Sequence, residues 1–342
     1  MILMMFFLAW LLRLPLLIIG VHGSRGHLFN FRPSKLFVFG DSYADTGNNR
    51  KTIANSWKVP YGITFPGKPT GRFSDGRVLT DCFAESIGVK SPIPYRWRKF
   101  AVNRLKNGIN FAYGGTGVFD TLCPAPNMTT QIDFFQQIIT DKVYTTADLR
   151  SSVALVTLSG NDYSAYAARN GSAQGWQAFI TQVVNQLTVN LKRIKGLGVK
   201  KIAVCGLQPL GCLPPSTFAS SFQQCNATQN DLVGFHNLLL QQAVAKLNNE
   251  TKDTSLLIFD LYSAFMTVLN NKGGDSKFEN PLKPCCIGIS KEYSCGSVDE
   301  NGAKKYTVCE NPVAAFFWDD VHPSQEGWRS VYLALQPTLQ QL

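Results

Sequence analysis

The chain has 342 residues, of which 45% are hydrophobic, 12% aromatic and only 16% charged, ample material for a large buried core, so global disorder is excluded. Its formal charge of +10 comes from scattered basic residues such as Arg96, Arg98, Lys192 and Lys201, with no nucleic-acid motif around them. They read as a solvated basic face, open at most to weak association with an anionic cell wall and giving no support for nucleic-acid binding.

Residues 1–23 are an apolar stretch ending in small residues, the pattern of a secretory signal, with cleavage expected near Gly23. Arg13 splits the run, and a cation at mid-bilayer costs roughly 2.5–3.5 kcal/mol, which argues against an uncleaved anchor. No later stretch approaches the ~18 apolar residues of a span, so no stable membrane insertion is expected after cleavage. Residues 24–342 carry no Pro/Gly/Ser-rich linker and read as one secreted, extracellular domain.

Secretion makes the sequons at Asn127, Asn170, Asn226 and Asn249 candidate glycan sites, and makes disulfides the expected fate of most of the nine cysteines. An odd count leaves at least one thiol unpaired, and Cys205, inside an apolar run, is the one expected to stay free. Cys285, Cys286, Cys295 and Cys309 have no histidine among them, so they are expected to staple a long loop and not to hold zinc.

Short apolar segments then alternate with helical ones. The strands expected are Lys35–Phe39, Gly108–Phe111, Val153–Leu158, Lys201–Gly206 and Leu256–Asp260. Ile180, Val183, Val184, Leu187, Leu191 and Ile194 recur at helical spacing; a second helix is expected over about 231–249, and a third presents Trp328, Val331, Tyr332 and Leu335. The class expected is α/β, three layers around a mostly parallel sheet of about five strands. Residues 50–105 and 271–316 fall outside the alternation, as the long loops gathered over a site at the carboxyl ends of strands do.

The chemistry concentrates in four places. Phe37-Val38-Phe39 runs directly into Gly40-Asp41-Ser42, which exposes a serine at the sheet's carboxyl edge, its amide expected at the start of a following helix. Taken alone, Ser42 is equally a helix cap. A hydroxyl attacks only when a base takes its proton, and the chain has four histidines. His22 lies in the leader, His27 at the new amino terminus, and His236 in an apolar helix, which leaves His322 in Asp319-Asp320-Val321-His322. Either aspartate is a candidate to orient the imidazole, and spacing does not separate them. Gly114 and Asn161, taken alone, are an ordinary turn and an ordinary loop cap.

Together these residues resemble the plant GDSL esterases and lipases of the SGNH hydrolase superfamily. Gly40-Asp41-Ser42-Tyr43 differs from the eponymous tetrapeptide only at Tyr43, and Pro60-Tyr61-Gly62 with Pro69-Thr70-Gly71-Arg72-Phe73 is similar to the plant branch, with Asp75 standing where asparagine is expected. Asn110 to Gly117, Ser159-Gly160-Asn161-Asp162 and Asp319-x-x-His322 complete the resemblance in order. It implies a flavodoxin-like fold, a Ser42–His322–Asp319 triad that selects Asp319 over Asp320, and an oxyanion hole made by Ser42, Gly114 and Asn161. It implies hydrolysis of lipid, aryl or acylated-carbohydrate esters without a cofactor or metal. Acyl transfer by the same triad and a non-catalytic binding role are the alternatives. Phe65, Phe73, Trp97 and Trp318 are candidates for an acyl or aryl pocket, and core packing explains them equally.

Overall fold

The computed structural model describes residues 32–252, 254–271 and 277–339; the expected leader, with His22, and His27 lie outside the described residues. Six parallel strands form the central sheet: β1 Lys35–Phe39, β2 Ile93–Pro94, β3 Ile109–Asn110, β4 Ser152–Val156, β5 Lys201–Cys205 and β6 Leu256–Phe259. Their order is β2-β3-β1-β4-β5-β6. Without the edge strand β2 this is the doubly wound flavodoxin-like order, in which ligands bind where the winding reverses, here between β1 and β4. The five expected strands are present, and β2 is the addition. It is two residues long, half of it proline, so it carries no strand signal of its own.

Both faces of the sheet are buried, which is why its strands are continuous apolar runs. Leu36, Val38, Leu155 and Phe259 face one side, where α1 Leu79–Ser86, α8 Leu261–Leu269 and α9 Gln325–Leu339 pack through Phe83, Phe265 and Trp328. Phe37, Phe39, Ala154 and Val204 face the other, against α2 Met128–Thr140, α5 Trp176–Gly196 and α7 Ala227–Thr251. The short helices α3 Thr146–Arg150, α4 Asn161–Ala168 and α6 Pro214–Thr217 complete the described set. The helical stripe from Ile180 to Ile194 is the buried face of α5. Helix α7 begins before the expected Asp231, because the Asn226 side chain accepts from Gln229 N and caps it.

The cysteine-rich stretch holds a small antiparallel pair, β7 Cys286–Gly288 and β8 Tyr306–Val308. Disulfides Cys285–Cys309 and Cys286–Cys295 staple it as expected, and Cys212–Cys225 closes a third loop. Cys205 is free and buried, as expected; Cys82 and Cys123 are free as well. Among the described residues no helix is long and apolar enough to cross a membrane.

Candidate active site

Strand β1 ends at Phe39; the next residue, Gly40, has a φ of +137° that belongs to glycine, and a Cβ there would come within 2.2 Å of Thr157 Oγ1 on the neighbouring strand's extension. The Gln131 side chain of α2 pins that turn from both sides, accepting from Gly40 N at 2.8 Å and donating to Gly40 O at 2.9 Å. No α-helix follows Ser42. The chain instead makes a turn in which Asp41 O accepts from Ala44 N and Asp45 N, so Ser42 is not a helix cap.

Asp41 is fully buried and joins this turn to the segment after β4. It accepts from Tyr43 N, from Thr157 Oγ1 at 3.3 Å and from Ser159 Oγ at 2.7 Å. Burial, only partly offset by these donors, raises its carboxyl above the ordinary carboxylate range. Asn161 opens α4, with Gly160 in a left-handed conformation before it. Its Nδ2 donates to Thr116 O at 3.0 Å and, at 3.4 Å, to Asp41 Oδ2, which ties the amide group to the same turn.

His322 and Asp319 arrive from the loop before α9. The imidazole Nδ1 lies 2.8 Å and 2.9 Å from the two Asp319 oxygens, and Asp319 Oδ1 also accepts from Val321 N and His322 N, each at 2.9 Å. Burial alone would raise the Asp319 carboxyl. The imidazole, its hydrogen bond, Tyr61 and the Val321 amide outweigh burial and hold it below the usual range. Asp320 stands apart from this pairing: burial, then the neighbouring Asp319 charge, push its carboxyl up to about 6. With Nδ1 paired to Asp319, Nε2 is the ring nitrogen left without a hydrogen-bond partner among the described residues.

The loop's position is fixed from several sides. Tyr61 donates to Asp319 Oδ2, Tyr43 donates to Val321 O at 2.9 Å, and Ser74 Oγ donates to Pro323 O at 3.0 Å. Asp75 accepts from Gln325 N at 2.7 Å, placing a carboxylate at the start of α9, where the helix dipole favours it. The aspartate found where the plant branch suggested asparagine therefore has a local physical use. The Phe73 ring sits 5.0 Å from the imidazole.

Ser42, Asp319, His322, Asn161 and Gly114 all line one cavity of about 550 Å³, together with Tyr61, Phe73 and Asp320. Gly114 departs from expectation in one respect. Its N–H donates to the buried Asp45 Oδ2 at 3.0 Å, so that hydrogen is already committed. Asp45 also accepts from Gly47 N and Asn48 N at 2.7 Å each, while burial pushes its carboxyl to about 6. The next residue, Gly115, lines the same cavity at φ +82°, and among the described residues its N–H, like that of Ser42, faces no acceptor. Of the four aromatics singled out, only Phe73 lines this cavity; Trp318 is fully buried, Phe65 lies under the Arg77 guanidinium at 4.0 Å, and Trp97 packs near Phe100. His236 is structural, its Nδ1 against the Tyr163 hydroxyl at 2.6 Å.

The model of the GDSL-like lipase/acylhydrolase family matches residues 36–335, which include all of these site residues. The chain belongs to this family. Two GDSL esterase/lipases of Arabidopsis thaliana are 64% and 56% identical to this GDSL hydrolase over 327 and 322 residues, covering 94% and 92% of it and 91% of each relative. Acetylajmalan esterase 2 of Rauvolfia serpentina is 30% identical over 329 residues, covering 89% of the chain and 90% of the relative. This GDSL family member is a carboxylic ester hydrolase, with a small-molecule ester as substrate.

Tyr61, Asp45 and Gly115 are site residues that sequence reasoning left without a role. Tyr61 was visible only as part of a resemblance, since nothing in spacing ties it to a carboxylate 258 positions away.

Proposed function

We propose that the chain hydrolyses carboxylic esters through an acyl-enzyme on Ser42. The observation that carries this is the His322 imidazole held by both oxygens of Asp319 in a cavity that Ser42 and Asn161 also line. As Ser42 Oγ bonds to the ester carbon, His322 Nε2 takes its proton and Asp319 stabilises the imidazolium. The tetrahedral intermediate collapses, the bond to the alcohol oxygen breaks, and His322 returns the proton to that oxygen. Water then adds by the same route and releases the acid. The oxyanion falls to the Ser42 and Gly115 amides and to the Asn161 side chain, with Gly115 in place of the Gly114 suggested by resemblance, because the Gly114 hydrogen is held by Asp45.

A fluorophosphonate probe tests this directly. Wild type should be labelled and Ser42→Ala should not; labelling that survives in Ser42→Ala sinks the assignment. We further propose that residues 1–23 are a secretory leader and that residues 24–342 form one extracellular hydrolase domain. The three disulfides support an oxidising compartment. Asn170, Asn226 and Asn249 are exposed and suited to carry glycans. Asn127 is half-buried and its Nδ2 donates to Asp120 Oδ1 at 2.8 Å, a bond that a glycan on that nitrogen would disturb. The formal charge of +10, which cleavage lowers only by Arg13, accords with weak attachment to an anionic cell wall. Mass spectrometry of the secreted protein reads both the cleavage point and glycan occupancy.

A further inference from the structure

A second cavity, of about 350 Å³, adjoins the one just described, and its walls are almost wholly apolar. Leu207, Leu210 and Leu213 enter it from the segment after β5, Tyr163 from α4, Ile180 from α5 and Leu232 from α7. Two residues, Ser164 and Val321, line both cavities. Val321 directly precedes His322, and Ser164 lies about one helical turn beyond Asn161, so the cavities meet beside the imidazole and the oxyanion amide.

Two of the polar side chains that line the apolar cavity are already bonded to neighbours. The Tyr163 hydroxyl is bonded to His236 Nδ1, and burial lowers His236 to about 3, which keeps the ring neutral. Ser216 Oγ donates to Gln229 Oε1 at 2.5 Å. A guest therefore gains little here from hydrogen bonds and gains mainly by removing its own apolar surface from water. The volume lies within the range of small-molecule sites. Gly160 keeps the wall open: at φ +103° it has no side chain, and a Cβ would come within 2.9 Å of Leu210 Cδ2.

We propose that this cavity is the acyl subsite, holding an unbranched hydrocarbon chain of the ester's acid while the polar cavity receives the alcohol. The assignment rests on the acyl-enzyme reading above. Between the two chemical steps the alcohol must leave and water must enter, but the acyl group stays bonded to Ser42. The smaller apolar cavity suits the part that stays. The wider one, lined by Asn49, Asn55 and Ser294, suits the part that is exchanged.

The test is a series of p-nitrophenyl acetate, butyrate, hexanoate and octanoate, run beside acetate esters of lengthening alcohols. For the acyl series, kcat/KM should climb about three- to fourfold per buried methylene until the cavity fills. Ala167 lines the cavity from the exposed side of α4, so Ala167→Trp adds bulk there without entering the core, and should lower the octanoate-to-acetate ratio of kcat/KM at least tenfold. Ala167→Ser should keep that ratio. Calorimetric binding of octanoate to Ser42→Ala, weakened when Ala167→Trp is added, reads the site without turnover. An active wild type with a flat acyl series, a ratio untouched by Ala167→Trp, or a preference that follows the alcohol chain overturns the subsite and leaves the hydrolase reading standing. Absence of both turnover and fluorophosphonate labelling sinks the hydrolase reading; octanoate binding blocked by Ala167→Trp would then still support the chain site, and no binding would overturn it.

Discussion

The hydroxyl of Tyr61 donates to Asp319 Oδ2 at 2.6 Å, spanning 258 positions of sequence. It is buried, and burial, followed by the Asp319 charge, raises its pKa well above the ordinary phenol value, so it acts as a donor. Hydrogen bonds to charged groups contribute about 1.5–3 kcal/mol, and this one favours the ionised Asp319 that the imidazolium needs. Tyr61→Phe should lower kcat on the order of tenfold with KM nearly constant. A change confined to KM would remove Tyr61 from the positioning of Asp319.

The two aspartates before His322 should differ sharply on substitution. Asp319→Asn turns the partner of Nδ1 into an amide, a change worth about 10⁴ in kcat in serine protease triads. Asp320→Asn should cost less than about tenfold, but should remove a step near pH 6 from the kcat/KM profile, since that is where the Asp320 carboxyl titrates and adds charge near the imidazole. Equal losses from the two variants would contradict the arrangement.

Asn161→Ala removes a side-chain donor from the cavity. Its expected cost is about 10²–10³ in kcat, because loss of one oxyanion donor acts on the transition state, with only a small fall in the thermal midpoint from the lost bond to Thr116 O. Glycine variants are poorer tests of the same hole: a Cβ on Gly114 would meet the Phe73 ring at 2.3 Å, and one on Gly115 would meet Cys123 Cβ at 2.8 Å.

Asp45 and Asp162 each titrate near 6 in the folded chain, in both cases chiefly through burial. A carboxyl raised in this way binds its proton more tightly folded than unfolded, where it titrates near 3.9. Its stabilising contribution is complete below the unfolded value and is lost as pH rises through about 6. The melting temperature should therefore rise on acidification from pH 7 to pH 5, with a smaller slope in Asp162→Asn. Asp319 acts in the opposite sense, since its lowered carboxyl loses its contribution only as pH falls through and below the ordinary carboxylate range. A midpoint that falls between pH 7 and pH 5 would refute the sign.

The Cys286–Cys295 bridge closes a nine-residue separation, and Ser294 and Cys295 line the polar cavity. Loop-closure entropy assigns such a crosslink about 3 kcal/mol. Replacing both cysteines by serine should lower the thermal midpoint and raise KM. An unchanged KM would separate this loop from substrate binding.

Periodicity and β-branched runs exposed the five main strands and the buried stripes of α5 and α9, because burial on two faces writes itself into local composition. The positions of Ser42 and Asn161 just beyond strand ends followed from the same logic, whereas His322 stood out as the one histidine in a polar loop before the last helix. What escaped depended on distance. The bond from Asp45 to Gly114 and that from Tyr61 to Asp319 join residues with no common period, and only the folded chain shows that one glycine amide is spoken for while its neighbour is not. The turn after Ser42 escaped for another reason: Asp41 O satisfies two amides locally, and that bonding does not go on into a helix.

Ser42 follows the central strand β1, whereas Asp319 and His322 lie just before the last helix, clasped by Ser74 and Asp75. Neither end can assemble chemistry by itself. On the mechanism proposed above, a chain still emerging from the ribosome, or one clipped ahead of residue 319, would hold a hydroxyl with no base to activate it, so catalytic competence would arrive as a single late event, after the whole sheet has been laid down.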